Sequence, residues 1–330
     1  MSEFKKCLFT IVLLSSVMLS PMQVFSQDQY RLGVLMAGDF RLPSLNGLKD
    51  GMASYGVSTR YEISNAKGNR KQLAGLAQQI IKSKPSVAIA AGGVEADALF
   101  EASKGTNIPV VFLAVSSSVD RGLVHSMNRS QNNLTGIETN DTELTEKRLW
   151  FIRKIMPQAK HVLMFKVPSI IPSVKSVEIA KQLVSSLGFK LNVLTVENKS
   201  NIIAGLKTVS KANADIILLA PAAPVNRIIK SHILPFSIQH EIPVFGYGMG
   251  MIKRGATISF AGSRYKEGFQ ASRLVNKILG GESPRHIPVE TPKELEFIIN
   301  RWMVNRLGLK VPRRIWRIAN TVVDIAVYLP

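Results

Sequence analysis

Cysteine is almost absent from this chain of 330 residues: the one thiol is Cys7. A single cysteine rules out an internal disulfide and any cysteine-rich metal site. Histidine is nearly as scarce. His125, His161, His232, His240 and His286 are scattered, with no pair four residues apart and no neighbouring spaced acids, so no zinc-type constellation is expected. Acids are outnumbered, 23 against 42 Lys and Arg, for a formal charge of +19. Aromatics make up 7%. Neither a GxGxxG nor a GxxxxGK[ST] phosphate loop occurs, and no GxSxG nucleophile elbow. Past the first residues no apolar run approaches the roughly 20 residues of a membrane-spanning helix. Hydride transfer on a nucleotide cofactor, phosphoryl transfer and thiol or metal catalysis thus lose their usual signatures; no cofactor and no metal are expected.

What is present begins at the N-terminus. Lys5 and Lys6 precede an apolar stretch from Cys7 to Leu19, and small residues follow before Gln27, the order of a secretory signal peptide cleaved near Ser26. Cleavage would remove the thiol and leave a soluble exported chain with a charge of +18, since Lys5, Lys6 and Glu3 go with the signal. A surface this basic is drawn to anionic membranes or acidic partners. Its densest stretch holds Arg301, Arg306, Lys310, Arg313, Arg314 and Arg317, read as a solvated face. Nucleic acid is not expected as a partner, because no basic run interleaved with aromatics offers a stacking surface.

Short β-branched runs alternate with amphipathic segments along the rest of the chain, the pattern of βαβ units and a parallel sheet. Strands are expected at 31–36, 59–63, 86–91 and 109–115, with helices at 45–55, 70–83 and 94–104 between them. The pattern restarts with a helix at 144–156. Strands at 161–165, 190–196, 215–219, 243–247 and 257–261 then alternate with helices at 174–187, 202–212 and 225–233. A helix at 265–279, a strand at 286–290 and a helix at 292–307 exceed what one sheet needs. The expected fold is α/β: two doubly wound parallel-sheet lobes joined by a hinge of several crossovers, at 136–141, 261–264 and 281–285. Lobe one would hold residues 27–138 with 262–283, and lobe two 139–261 with 284–330.

Ligands of open α/β sheets sit beyond the carboxyl ends of the strands. The loops there supply the candidate binding residues Gly38, Asp39, Gly92, Gly93, Val94, Ser116, Ser117, Pro168, Ser169, Pro221, Ala222, Tyr247, Gly248 and Phe260. They are small, mostly neutral and lightly aromatic, which suits gripping a ligand through backbone groups and apolar walls better than breaking bonds. Gly92 and Gly93 either present the N–H groups of the next helix to a polar ligand atom or simply permit a tight turn. No catalytic residue stands out.

Two stretches carry a resemblance. Ile108 to Phe112, Gly122 to Val124 and Asn133 to Gly136, then Ile287 to Glu290, Asn300, Leu307 to Leu309 and Pro312, match in order and spacing a family of ABC-transporter substrate-binding proteins of the type I periplasmic-binding-protein fold, the group with tryptophan- and other aromatic-amino-acid-binding members. The chain departs from that pattern where Ser117 and Ser118 replace Asp-Pro, where Ser130 and Gln131 replace Pro-Gly, where Gly93 replaces a hydroxyl residue, and where Phe260 and Ala261 replace Tyr-Gly. The resemblance implies a periplasmic, monomeric protein that closes two lobes on a small organic ligand, with an aromatic amino acid foremost, and hands it to a membrane ABC permease. A sensor for a membrane receptor and, further off, a secreted α/β enzyme are the alternatives. Asp39 is the expected partner of a ligand ammonium, and Tyr247 or Phe260 the expected wall for an aromatic ring.

Overall fold

The structure, a computed structural model, describes residues 29–326; the segment read as a signal peptide lies outside them. The first half builds β1 (Tyr30–Met36), α1 (Leu42–Ser54), β2 (Thr59–Asn65), α2 (Leu73–Lys82), β3 (Val87–Ala90), α3 (Gly93–Ser103), β4 (Val110–Val115) and β5 (Leu134–Glu138). Its five strands run parallel in the order β2-β1-β3-β4-β5. Both faces of the inner strands are apolar, so side chains alternate between two cores. Val34, Ile89 and Val111 pack toward α1, while Leu35, Ala88 and Phe112 pack toward α2 and α3.

The second half builds α4 (Thr145–Ile155), β6 (His161–Lys166), α5 (Ile171–Leu183), β7 (Lys190–Thr195), α6 (Lys199–Leu206), β8 (Ile216–Leu218), α7 (Ala223–Arg227), α8 (Leu234–His240), β9 (Val244–Gly246), α9 (Met249–Ile252) and β10 (Ile258–Gly262). After α10 (Arg264–Leu279) come β11 (Leu295–Asn300), α11 (Arg301–Arg306), α12 (Arg313–Ile318) and β12 (Thr321–Val323). The second sheet runs β12-β11-β10-β9-β8-β6-β7. All its pairs are parallel except β10 with β11. The expected α/β fold with two parallel-dominated sheets is what forms. Among the described residues no helix is long and apolar enough to cross a membrane.

Three expectations along the chain need correction. Residues 292–307 are not one helix, because Phe297 and Ile299 bury on one face of the second sheet and Ile298 on the other, which only a strand can do. The expected strand at 286–290 reduces to a single bridge between Ile137 and Glu290. The helix expected at 225–233 is broken into α7 and a π-turn at Ile229–Ile233, and α8 follows. Also unforeseen are β5 and β12.

The chain passes between the sheets three times. It leaves β5 for α4 and leaves β10 for α10. The third passage lies after Glu290 rather than at 281–285. Up to that point the chain is tied to the first sheet: Thr135 Oγ1 donates to Ile287 O at 2.9 Å, and Glu290 N donates to Gly136 O at 3.0 Å. α10 is the helix that brings the chain back onto the first sheet. It lies against α1 so closely that a Cβ at Gly268 would sit 1.8 Å from Ser44 O and one at Gly47 1.9 Å from Tyr265 O.

Candidate functional site

Each sheet reverses its strand order once, between β1 and β3 in the first and between β6 and β8 in the second. Loops leaving the two strands at such a reversal diverge to opposite faces and open a crevice at the carboxyl edge. The two edges face one another. Lys175 in α5 reaches Asp120 in the loop after β4, an ion pair across the gap between the sheets.

In the first sheet, Gly38 starts a 3-10 turn, Asp39–Arg41, after β1. Asp39 is exposed and accepts from Asn65 Nδ2 at 2.7 Å. Arg41 swings across to the other side of the reversal. Its Nε and Nη2 donate to the Glu95 carboxylate at 2.8 and 3.0 Å, and Ala37 N donates to the same carboxylate at 2.9 Å. Glu95 is fully buried in the first turn of α3, and these three donors satisfy its carboxyl oxygens there. The Arg41 guanidinium lies over Gly92, where a Cβ would come within 2.0 Å of Cζ. Arg121 stands over Gly93 in the same way, with Nη2 at 3.0 Å from a Cβ placed there; it donates to Asp97 at 2.7 Å and to Ser116 O at 3.0 Å. The Gly92–Gly93 turn therefore admits two guanidiniums. Val94 instead joins Arg70, Leu73 and Asp97 around a concavity of about 500 Å³ between α2 and α3.

Ser116 Oγ meets Thr139 Oγ1 at 2.7 Å and so ties the β4 loop to the first crossing. Ser117 has a positive φ of 58° and a buried Oγ without a hydrogen-bond partner among the described residues. Ser118 N and Oγ both donate to Glu138, whose carboxyl is pushed up by burial.

In the second sheet, Pro168 and Ser169 are exposed in the loop after β6. Pro221 and Ala222 lead into α7, which leaves the reversal at β8. Tyr247 is buried, its hydroxyl donating to Asn226 Oδ1 at 2.8 Å, and burial pushes the phenol up to about 12. Gly248, with φ 103°, caps the short α9 and donates its N–H to Ser259 Oγ. Phe260 does not line the gap. Its ring packs in the core at 5.0 Å from the Phe151 centroid and 6.4 Å from that of Phe297, so it cannot serve as the expected aromatic wall.

Behind these loops lies a charge cluster absent from the list of candidates. Arg148 on α4 is fully buried; its Nε donates to Phe260 O at 2.8 Å, and its Nη atoms reach the carbonyl and carboxylate of Asp141. Arg264, at the second crossing, bridges Asp141 and Glu267. Burial pushes the Glu267 carboxyl up to about 7 although it faces Arg264 at 2.7 and 2.8 Å. Burial opposes the Arg264 charge, but Asp141 and Glu267 outweigh it and raise its pKa. Two crossings are thus locked to each other and to α4. One signal was available for Arg148: it falls among Thr145, Leu149, Ile152 and Ile155 on the buried stripe of α4. Nothing local marks Arg41 or Arg121.

The fold and its edges can be set beside known proteins. The curated tyrosine-binding protein of Clostridioides difficile (strain R20291) is 26% identical over 274 residues, covering 81% of this chain and 75% of that protein. The solved ABC domain in complex with L-Trp from Streptococcus pneumonia superposes with a TM-score of 0.79 at 18% identity, covering 89% of this chain and all (100%) of that one. A conserved domain protein from Vibrio cholerae gives 0.78 at 24%, covering 89% and 99%. The ligand-free, open form of a Clostridium difficile substrate binding protein with adhesive properties gives 0.73 at 21%, covering 90% and 100%. At these identities the structures speak for the fold. The family description that matches residues 32–323 is ABC transporter substrate binding protein, and this chain belongs to that family.

Proposed function

We propose that this protein is exported to the periplasm, where it closes its two sheets as lobes on a small molecule with an aromatic or apolar body and a carboxylate, and delivers it to a membrane ABC permease. The observation that carries the reading is the pair of strand-order reversals facing each other across three chain crossings. That arrangement offers a gap whose walls can approach as rigid bodies about short connections. Relatives named for tyrosine and bound to tryptophan make those amino acids the first ligands to try. The loops Ala37–Arg41, 91–94, 116–118, 167–169, 220–222 and 247–248 would contact the ligand. Phe260 is excluded by its core packing, leaving Phe40, 57% exposed beside Arg41, as an aromatic platform at the mouth. The protein acts as a monomer, takes no part in catalysis and binds no nucleic acid.

Native mass spectrometry of protein purified without added ligand, followed by calorimetric titration with L-tyrosine, L-tryptophan and L-phenylalanine, tests this. A co-purifying acid, or saturable heat with one of the three, is expected together with a smaller radius of gyration by X-ray scattering. Turnover of the bound compound, or scattering curves unchanged by a saturating ligand, would defeat the reading.

A further inference from the structure

Between Asn300 and Ala319 the chain carries six cations and no acid. Arg301 finds Asp324 at 3.3 Å, but Lys310, Arg313, Arg314 and Arg317 are exposed and have no carboxylate partner among the described residues. At Lys104, Lys211 and Lys266, by contrast, an exposed lysine stands beside a glutamate. The helical period decides where the charges of α12 point. Ile315 is buried, and Arg313 and Arg317 lie two residues to either side of it, about 200° round the axis, so both project straight away from the core.

α12 and α4 share that core. Ile315 and Trp316 from α12 and Leu149, Phe151 and Ile152 from α4 fill one apolar cluster against Phe297 of β11. On the outer side of α4, Trp150 is 48% exposed, meets Phe151 edge-on at 5.6 Å, and has Lys154 Nζ at 4.9 Å from its ring centre. Ile318, the last residue of α12, is 50% exposed. The one acid of α4, Glu146, stands in its first turn, next to the crossing. The two helices thus present cations with an indole and an aliphatic tip among them. β11 runs opposite to β10, so Asn300 ends at the edge remote from the gap and the basic stretch starts there. A partner seated on this face need not enter the gap. A soluble polyanion would need only the charges. Exposed Trp150 and Ile318 beside them suit the boundary between water and acyl chains, where an indole rests at headgroup level and basic side chains meet phosphates.

We propose that the α4–α12 face seats on an anionic phospholipid surface, with Lys154, Arg313, Arg314 and Arg317 on headgroup phosphates and Trp150 and Ile318 at the edge of the acyl chains. The contact is reversible and screened by salt, because it consists of exposed charges and a small apolar area. It keeps the protein in the water layer against the membrane, where a permease is met by movement along the surface. The inference does not depend on what the gap binds.

The test is co-sedimentation of the exported protein with vesicles of phosphatidylcholine alone and of phosphatidylcholine mixed equally with phosphatidylglycerol. Binding is expected to the mixed vesicles only, and to weaken as salt is added. Each arginine removed should lower the partition about fivefold, so Arg313→Gln, Arg314→Gln and Arg317→Gln combined should lower it about a hundredfold. Lys71→Gln, Lys82→Gln and Lys207→Gln combined, which removes the same charge from other exposed positions, should bind like the wild type. Brominated acyl chains should quench the tryptophan emission of the bound protein, and Trp150→Phe should remove most of that quenching. Equal binding of wild type and the arginine variant, or equal losses in the two triple variants, would overturn the proposal. So would dextran sulfate binding as tightly as the mixed vesicles while brominated chains quench nothing, which would make the face a site for soluble polyanions. None of these outcomes bears on the gap, whose ligand is tested by titration with amino acids.

Discussion

Gly92 illustrates how far a single residue's purpose depends on a neighbour distant in sequence. Its φ is extended and needs no glycine; the need is space, because the Arg41 guanidinium occupies the volume of a Cβ. In Gly92→Ala the Arg41 head must move off Glu95 and leave a fully buried carboxylate with Ala37 N as its remaining donor. An unfolding loss of about 1–3 kcal/mol is expected, read from urea denaturation. Gly93→Ala makes a useful contrast. There the nearest atom is Arg121 Nη2 at 3.0 Å, and a shift of a few tenths of an ångström relieves it, so a loss well below that of Gly92→Ala should be measured. From the sequence, the two glycines were legible as a turn at a strand end. What they make room for was not, since Arg41 lies 51 residues before Gly92 and joins it only because β1 and β3 are adjacent in the sheet.

Among the elements, α1 and α10 have the closest partnership. Backbone carbonyls fill the space where Gly47 and Gly268 would carry side chains, and such contacts cannot yield as a flexible side chain does. Gly268→Ala should push the helices apart and lower stability by about 1–3 kcal/mol in urea unfolding, despite the better helix propensity of alanine. The same helix pair shows why boundaries in the last quarter of the chain were harder to read. The amphipathic pattern of 265–279 identified α10 correctly, whereas the three-residue apolar run of 297–299 is buried on both faces, and so short a run reads equally as helix or strand until a neighbouring strand is known. β5 and β12 were missed for a related reason: they are short edge strands whose pairing is supplied by the sheet.

For the molecule as a whole, the buried Asp141–Arg148–Arg264–Glu267 cluster couples the crossings to stability and to pH. Glu267 is held up at about 7 by burial, above its ordinary 4.5, so the folded chain binds this proton more tightly than the unfolded chain. Stability from this group is full below about 4.5 and is lost as pH rises through about 7, by up to about 3 kcal/mol. Glu267→Gln should abolish that share. Urea midpoints at pH 5 and pH 8 should therefore fall further with rising pH in the wild type than in the variant; equal falls would show that Glu267 keeps an ordinary pKa.

The sequence by itself determined the class of the fold, since alternating apolar runs and amphipathic segments admit little but stacked βαβ units. It also determined which loops stand at the carboxyl edges, because each follows a strand whose end is marked by glycine, serine or proline. Tertiary structure alone decided which of those loops meet. Strand order is set by long-range pairing, and that pairing places Arg41 over Gly92, withdraws Phe260 into a core of rings and brings Asp141, Arg264 and Glu267 from separate crossings into one buried cluster. Charges far apart along the chain, such as Arg41 and Glu95 or Asp141 and Arg264, acquire their partners only once strand order and the crossings bring them together.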